Sequence, residues 1–201
     1  MFGIEEPGAA VILAATTIAS LIGLYSAPQI IDRSLFRPYW FLRRRQYDTI
    51  YMSGFVHADL GHLLFNMITF YFFAFGLERY IGTIRFLVLY FAGLVISHAC
   101  TYFKHKDDPN YASLGASGAI ASVLFAYIVY FPTTTLMILP LPVPIPAVLF
   151  ALVYVGYSYW AARHPRGRIN HDAHLCGAIA GVVFVAVTDP AAFGRLSGLL
   201  G

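Results

Sequence analysis

Apolar runs separated by charged or Pro/Gly-rich breaks recur along the chain over residues 9–27, 60–77, 84–103, 115–131, 146–162 and 171–188. A helix needs roughly 20 apolar residues to cross a hydrocarbon layer of about 30 Å, so the pattern predicts six membrane spans, with no internal repeat. The clearest stretch is 109–162, which contains no Asp, Glu, Lys or Arg and is too long for one soluble core helix. It divides into two spans and a connection, 140–146, where proline stands at every second position. Alternate prolines forbid a helix and predict a rigid, extended, uncharged corner without chemistry of its own. The first run is preceded by Glu5 and Glu6 rather than by a basic region, so it is expected to be a retained helix and not a cleaved signal. The expected organisation is a single membrane domain over 1–201, an all-α integral membrane six-transmembrane-helix bundle.

Composition agrees: 59% of residues are hydrophobic and 11% charged, against about 25% charged in a soluble domain. The net charge of +3 does not point to nucleic acid, because the basic residues border the spans. Cys100 and Cys176 lie in apolar segments and match no metal or redox spacing, which predicts packing residues. Glu78 and Arg79, at the end of the second span, are expected to pair locally and serve the second connection. His98 and His171 are expected to be interfacial or helix-start histidines.

Six spans put the first, third and fifth connections on one side of the membrane, so spans two, four and six all begin in the same leaflet. The first connection, 28–59, mixes Arg33, Arg37 and Arg43 to Arg45 with Phe36, Tyr39, Trp40 and Phe41, a composition suited to the interface. Ten lysines and arginines lie on this odd side and three elsewhere (Arg79, Arg85, Arg195). By the positive-inside rule the odd side is then cytoplasmic.

The candidate chemistry sits at the starts of those three helices. His62 and Asn66 are four residues apart, on one helix face, and polar groups at membrane depth belong on a protein interior or wet cavity. Ser117 lies in Gly115-Ala-Ser117-Gly118, where glycines allow close backbone approach. From Ser117 to Phe131 is about 22 Å of helix, short of the hydrocarbon thickness. Because Asp107 and Asp108 belong at the water surface, 109–116 is expected to descend and leave Ser117 at the floor of a depression. His174 shares a helix face with Gly177 and Gly181, a small-xxx-small pair that invites a close neighbour. The fourth span offers a matching stripe in Ser117/Ala121 and Gly118/Ser122. Contact there brings His174 within reach of Ser117 as general base, with His62, Asn66 and the Ser117 backbone N–H as oxyanion donors. Asp172 points elsewhere, which favours a Ser–His dyad over a triad.

These residues resemble the rhomboid family of intramembrane serine proteases: His62-x-x-x-Asn66 in the second helix, Gly115-Ala-Ser117-Gly118 opening the fourth, and Ala173-His174 with Gly177 and Gly181 in the sixth. The resemblance covers nearly the whole chain. It implies a serine endopeptidase in which Ser117 is the nucleophile, His174 the base, and His62 and Asn66 the oxyanion stabilisers, while His57 matches a structural histidine. It implies single-span membrane-protein substrates entering commonly beside the fifth helix, no cofactor, no metal, and residence in a bacterial inner (plasma) membrane. Two departures stand out. Residues 47–51 replace a Trp-Arg pair common in the first connection, and Ala121 replaces an aromatic residue often found four after the nucleophile, removing a stacking surface for His174. The rival functions are a catalytically silent relative of the same fold that binds membrane clients, and a metal or transport site built from His57, His62, His171, Asp172 and His174.

Overall fold

The computed structural model describes residues 5–138, 143–164 and 169–197. Six long helices are α1 (Pro7–Tyr25), α5 (Leu60–Ile81), α6 (Thr83–His105), α7 (Ser117–Tyr130), α8 (Ala147–Arg163) and α9 (His171–Thr188). Between α1 and α5 run three short helices, α2 (Gln29–Ser34), α3 (Pro38–Arg43) and α4 (Thr49–Met52), then a single 3-10 turn, Ser53–Phe55. The short α10 (Gly194–Ser197) closes the described chain. Helices α1, α5, α6 and α9 are long and apolar enough to cross a membrane. The architecture is an all-α membrane bundle.

Local chemistry fixes the helix starts. Proline opens α1, where its missing N–H costs nothing. The Asp59 carboxylate accepts from the His62 N–H at 2.8 Å to start α5, and the Asn170 side chain accepts from the Ala173 N–H at 3.1 Å to start α9. Gly82, at φ +83°, turns the chain between α5 and α6 without an intervening loop.

Helix α7 is the axle of the bundle. Its 14 residues span about 21 Å, and all but Ser117 and Tyr127 are buried. Burial this complete is possible because small residues line its contacts. A β-carbon on Gly177 would sit 2.8 Å from the Gly118 carbonyl carbon, and one on Gly181 would sit 2.9 Å from the Ser122 backbone. The α7 and α9 backbones therefore touch along two successive turns.

The first connection folds over the third. Phe36 and Ser113 exchange two backbone hydrogen bonds of 3.0 Å, and the Gly115 N–H donates to the Ser53 carbonyl at 2.8 Å. Trp40 Nε1 donates to the Pro109 carbonyl at 3.3 Å. These ties hold 109–116 as it descends to the start of α7.

Three sequence expectations are corrected. Cys100 and Cys176 are not separate packing residues but a disulfide joining α6 to α9, with Cα atoms 6.5 Å apart. Cys100 lies five residues before the end of α6 and Cys176 five after the start of α9. The two helices run in opposite senses, so the cysteines share a depth that no sequence spacing reveals. Non-reduced protein is expected to show no free thiol, and Cys100→Ser to lower stability by roughly 2–4 kcal/mol. Thiol titration and thermal unfolding check both.

Glu78 and Arg79 do not pair locally either. Glu78 is 1% exposed and takes the N–H groups of Gly8 and Ala9 at 2.9 and 2.6 Å, capping α1 from 70 residues away. Arg79 instead meets Glu5 and Glu6. Because a helix begins with unsatisfied donors, Glu78→Ala strands two of them in the interior and is expected to cost about 2–4 kcal/mol. Glu78→Gln, which keeps one acceptor, is expected to lose about half as much, as thermal unfolding of both variants measures.

The extended path expected of the alternate prolines is seen over 143–146, as one strand of a hairpin. Thr135–Ile138 (β1) pairs antiparallel with Val143–Pro146 (β2), with Met137 opposite Pro144 and Thr135 opposite Pro146; residues 139–142 lie outside the described segments. The Ala147 N–H donates to the Thr134 carbonyl at 2.9 Å. Val143 and Ile145 share its parity, so their donors face β1 and the prolines fall on the unpaired edge. Lastly, His98 is not interfacial: it is 7% exposed, its Nδ1 donates to the Leu94 carbonyl at 2.8 Å, and its Nε2 pairs with the Ser53 hydroxyl at 2.7 Å. The folded first connection is what buries it.

Candidate active site

The starts of α5, α7 and α9 converge. Gly115, two residues before α7, has φ +113°, a left-handed conformation that favours glycine. A β-carbon there would lie 2.6 Å from Cε1 of His62, so the His62 ring rests directly on the chain entering Ser117. On the other side, a β-carbon on Gly118 would lie 3.3 Å from the Ala173 carbonyl oxygen. The residue after Ser117 thus packs against the residue before His174.

Behind His62 lies an ordered polar chain. Asn66, 4% exposed, donates its Nδ2 to Nε2 of His57 at 2.7 Å. An imidazole accepting at Nε2 must carry its proton on Nδ1, which then faces the Ser20 hydroxyl at 3.1 Å. Ser20 in turn donates to the Phe55 carbonyl at 3.3 Å. Burial first, and the charge of His62 second, push the pKa of His57 down to about 3, so it is neutral at physiological pH as this chain requires. The His57 and His62 rings meet edge-on with centroids 4.9 Å apart. One Asn66 N–H is committed to His57, leaving the second for other use.

His174 is half-buried in the first turn of α9. Its ring lies 6.0 Å from that of His171 and 6.4 Å from that of Tyr154 on α8, nearly parallel to the latter at 22°. The Asp172 carboxylate takes the Lys104 ammonium at 2.6 Å and is therefore engaged by α6. Beside Ser117 is a cavity of about 20 Å3 lined by Ser97, His98, Thr101, Ser113 and Asn170 among others, polar and large enough for about one water. Among the described residues no three His, Cys, Asp or Glu side chains come together as metal ligands. His57, His62, His171, Asp172 and His174 are close in part but not so arranged.

The chain on either side of Ser117 meets His62 and the residue before His174, while Asn66 is linked to His62 through His57. Tyr154, Ser20 and Ser53 have no sequence signal of comparable strength: each is one polar or aromatic residue in an apolar or loop segment. Only the packing of α8 on α9, and of the first connection on α1 and α6, identifies them.

The sequence profile of the Rhomboid domain matches residues 44–190. Among similar proteins, RHOMBOID-like protein 12, mitochondrial, of Arabidopsis thaliana is 29% identical over 150 residues, 67% of this chain and 44% of its own length. Presenilin-associated rhomboid-like protein A, mitochondrial, of Danio rerio is 32% identical over 145 residues, 67% of this chain and 36% of its own. YdcA of Bacillus subtilis (strain 168), named as a candidate rhomboid protease, is 40% identical over 73 residues, 36% of each chain. The chain spans less than half the length of each of these three relatives. With the profile covering most of the chain and an apolar helical bundle beneath it, the protein is an integral, multi-pass membrane protein of the rhomboid family.

Proposed function

We propose that the protein is an intramembrane serine endopeptidase acting through a Ser117–His174 dyad on single-span membrane proteins. The observation that carries this reading is the backbone contact of Gly118 with Ala173, which brings the start of α7 against the first turn of α9. In the reaction, Ser117 Oγ attacks the scissile carbonyl and His174 takes its proton. The resulting oxyanion faces the Ser117 N–H, His62 and the free N–H of Asn66. His174 then returns the proton to the departing amine, and a water, for which the small polar cavity is suited, hydrolyses the acyl-serine. No cofactor takes part.

The backing for His62 fits this role. Its neighbour His57 is neutral and tied through Asn66 and Ser20 to α1 and the first connection, so the donors are held before substrate arrives. Preorganised donors of this kind supply much of an enzyme's transition-state stabilisation.

We place the odd side in the cytoplasm on the count of lysines and arginines, in the bacterial inner (plasma) membrane that the family resemblance implies; Arg166 and Arg168 in that count lie outside the described residues. The Cys100–Cys176 bond is the opposing observation. It lies toward the odd side, and disulfides persist in oxidising compartments. Labelling Asp107→Cys from outside intact cells decides between them: protection keeps the charge assignment, and labelling turns the site outward in agreement with the disulfide.

The function is tested by giving purified, detergent-solubilised protein a single-span reporter. Cleavage in or beside the apolar segment, unchanged by a chelator, supports the proposal. A folded protein that binds the reporter without cutting it replaces the protease with a client-binding relative, and loss of cutting on chelation replaces the dyad with a metal.

A further inference from the structure

Helix α8 is the least embedded of the long helices. Its buried residues are Ala147, Ser158 and Ala161, while Leu152, Val153, Tyr157 and Trp160 are each at least half exposed. Two contacts fix its ends: the Ala147 N–H on the Thr134 carbonyl at 2.9 Å, and the Lys104 ammonium on the Ala162 carbonyl at 2.8 Å. Between these ends, Phe150, Ala151 and Tyr154 pack into the bundle. Tyr154 lies 5.3 Å from Phe125 of α7 and 6.4 Å from His174 of α9, with ring planes 22° apart. It therefore touches both helices whose starts meet at the candidate site.

The contact belongs to a small ladder. Tyr157, one turn further along α8, meets His171 edge-on at 5.5 Å, and His171 is one turn from His174. Two tyrosines on one helix thus face two histidines on the next at the same three-residue spacing. Helix α7 cannot supply a ring here, since the residue one turn after Ser117 is Ala121. The ring nearest to parallel with that of His174 is a tyrosine from α8, with centroids 6.4 Å apart.

We infer that Tyr154 is a positioning residue that sets the ring orientation of His174 from α8, so that base geometry depends on where α8 sits. This rests on the protease reading above. An offset, near-parallel aromatic pair is worth enough to change a rate by up to about tenfold if it is lost in the transition state. The planar face is what matters, not the hydroxyl or the volume. The outer side of Tyr154 lines an apolar groove of about 330 Å3 between β2 and α8, which makes direct substrate contact the competing explanation.

The experiment compares the full-length parent with Tyr154→Phe, Tyr154→Leu and, as a packing control in the same cluster, Phe150→Leu. It measures kcat and KM on the single-span reporter, the rate at which a fluorophosphonate esterifies Ser117 with loss of fluoride, and the unfolding temperature. The expected result is Tyr154→Phe within about twofold of the parent and Tyr154→Leu down about tenfold in kcat and in labelling rate, with KM and unfolding temperature little changed. Phe150→Leu is expected to keep the parent's kcat. A Tyr154→Leu variant that changes only KM, or that matches the parent, overturns the inference, as does an equal fall in kcat for Phe150→Leu. Should Tyr154→Leu not fold, Tyr154→Met takes its place with the same criteria. A folded parent that neither cuts nor labels overturns the protease reading, and this inference with it; a parent that does both while Tyr154→Leu is normal overturns this inference alone.

Discussion

Ser117→Ala and His174→Ala are each expected to lower cleavage by about 10⁴-fold or more while the protein remains folded. The size follows from what is removed. On the proposed dyad, removing Ser117 takes away the nucleophile at the start of α7 and removing His174 takes away the base, so only the donor groups and binding are left to act. Stability is expected to move little, because Ser117 lies outside the buried part of α7 and His174 is only half-buried. The two residues act as one unit, so the double variant is expected to be no slower than the worse single one. Reporter cleavage at matched folded yield checks all three. A single variant that retains a tenth of the parent rate would remove that residue from the chemistry.

The second large effect is expected at Gly177. An added methyl group there meets the Gly118 backbone, with 2.8 Å to the carbonyl carbon and 3.1 Å to Cα. Backbone on both sides cannot turn aside as a flexible side chain would, so α9 must move away from α7. Overpacking of this kind costs about 1–3 kcal/mol of stability. The effect on rate is larger in proportion, because the same displacement separates Ser117 from His174, and a 1 Å misplacement can cost about a hundredfold. Gly177→Ala is therefore expected to lose about a hundredfold in kcat with a modest drop in unfolding temperature. Gly156→Ala on α8, where an added β-carbon meets nothing within 4 Å, is the control and is expected to keep both. If Gly177→Ala cleaves like the parent, the close α7–α9 contact is not what assembles the site.

The positions of the long helices were legible because the bilayer imposes a length on each apolar run, and the described helices start and end within a few residues of those runs. The course of 109–116 toward the bundle was legible for a related reason: charge at 107 and 108 and a short fourth run leave that segment little room elsewhere. Hydrogen bonds from 36 to 113 and from 115 to 53 tie that segment to the first connection. Features made by two distant segments were not legible. Cys100 and Cys176 pair because two antiparallel helices share a depth, Glu78 caps a helix whose start is far away in sequence, and His98 is buried by a loop whose fold has no periodic signal. Tyr154 belongs to this group. An aromatic residue in an apolar helix has no pattern that distinguishes a ring set against α7 and α9 from one facing lipid, and only the direction of α8 separates them.

The most direct test of the central claim is to react the folded protein with a fluorophosphonate and locate the adduct by peptide mass spectrometry. The account predicts a single modified residue, Ser117, labelled in the parent, nearly unlabelled in His174→Ala, and unlabelled after denaturation. Absence of an adduct on folded parent protein, or labelling of Ser117 that persists at the same rate without His174, would contradict it.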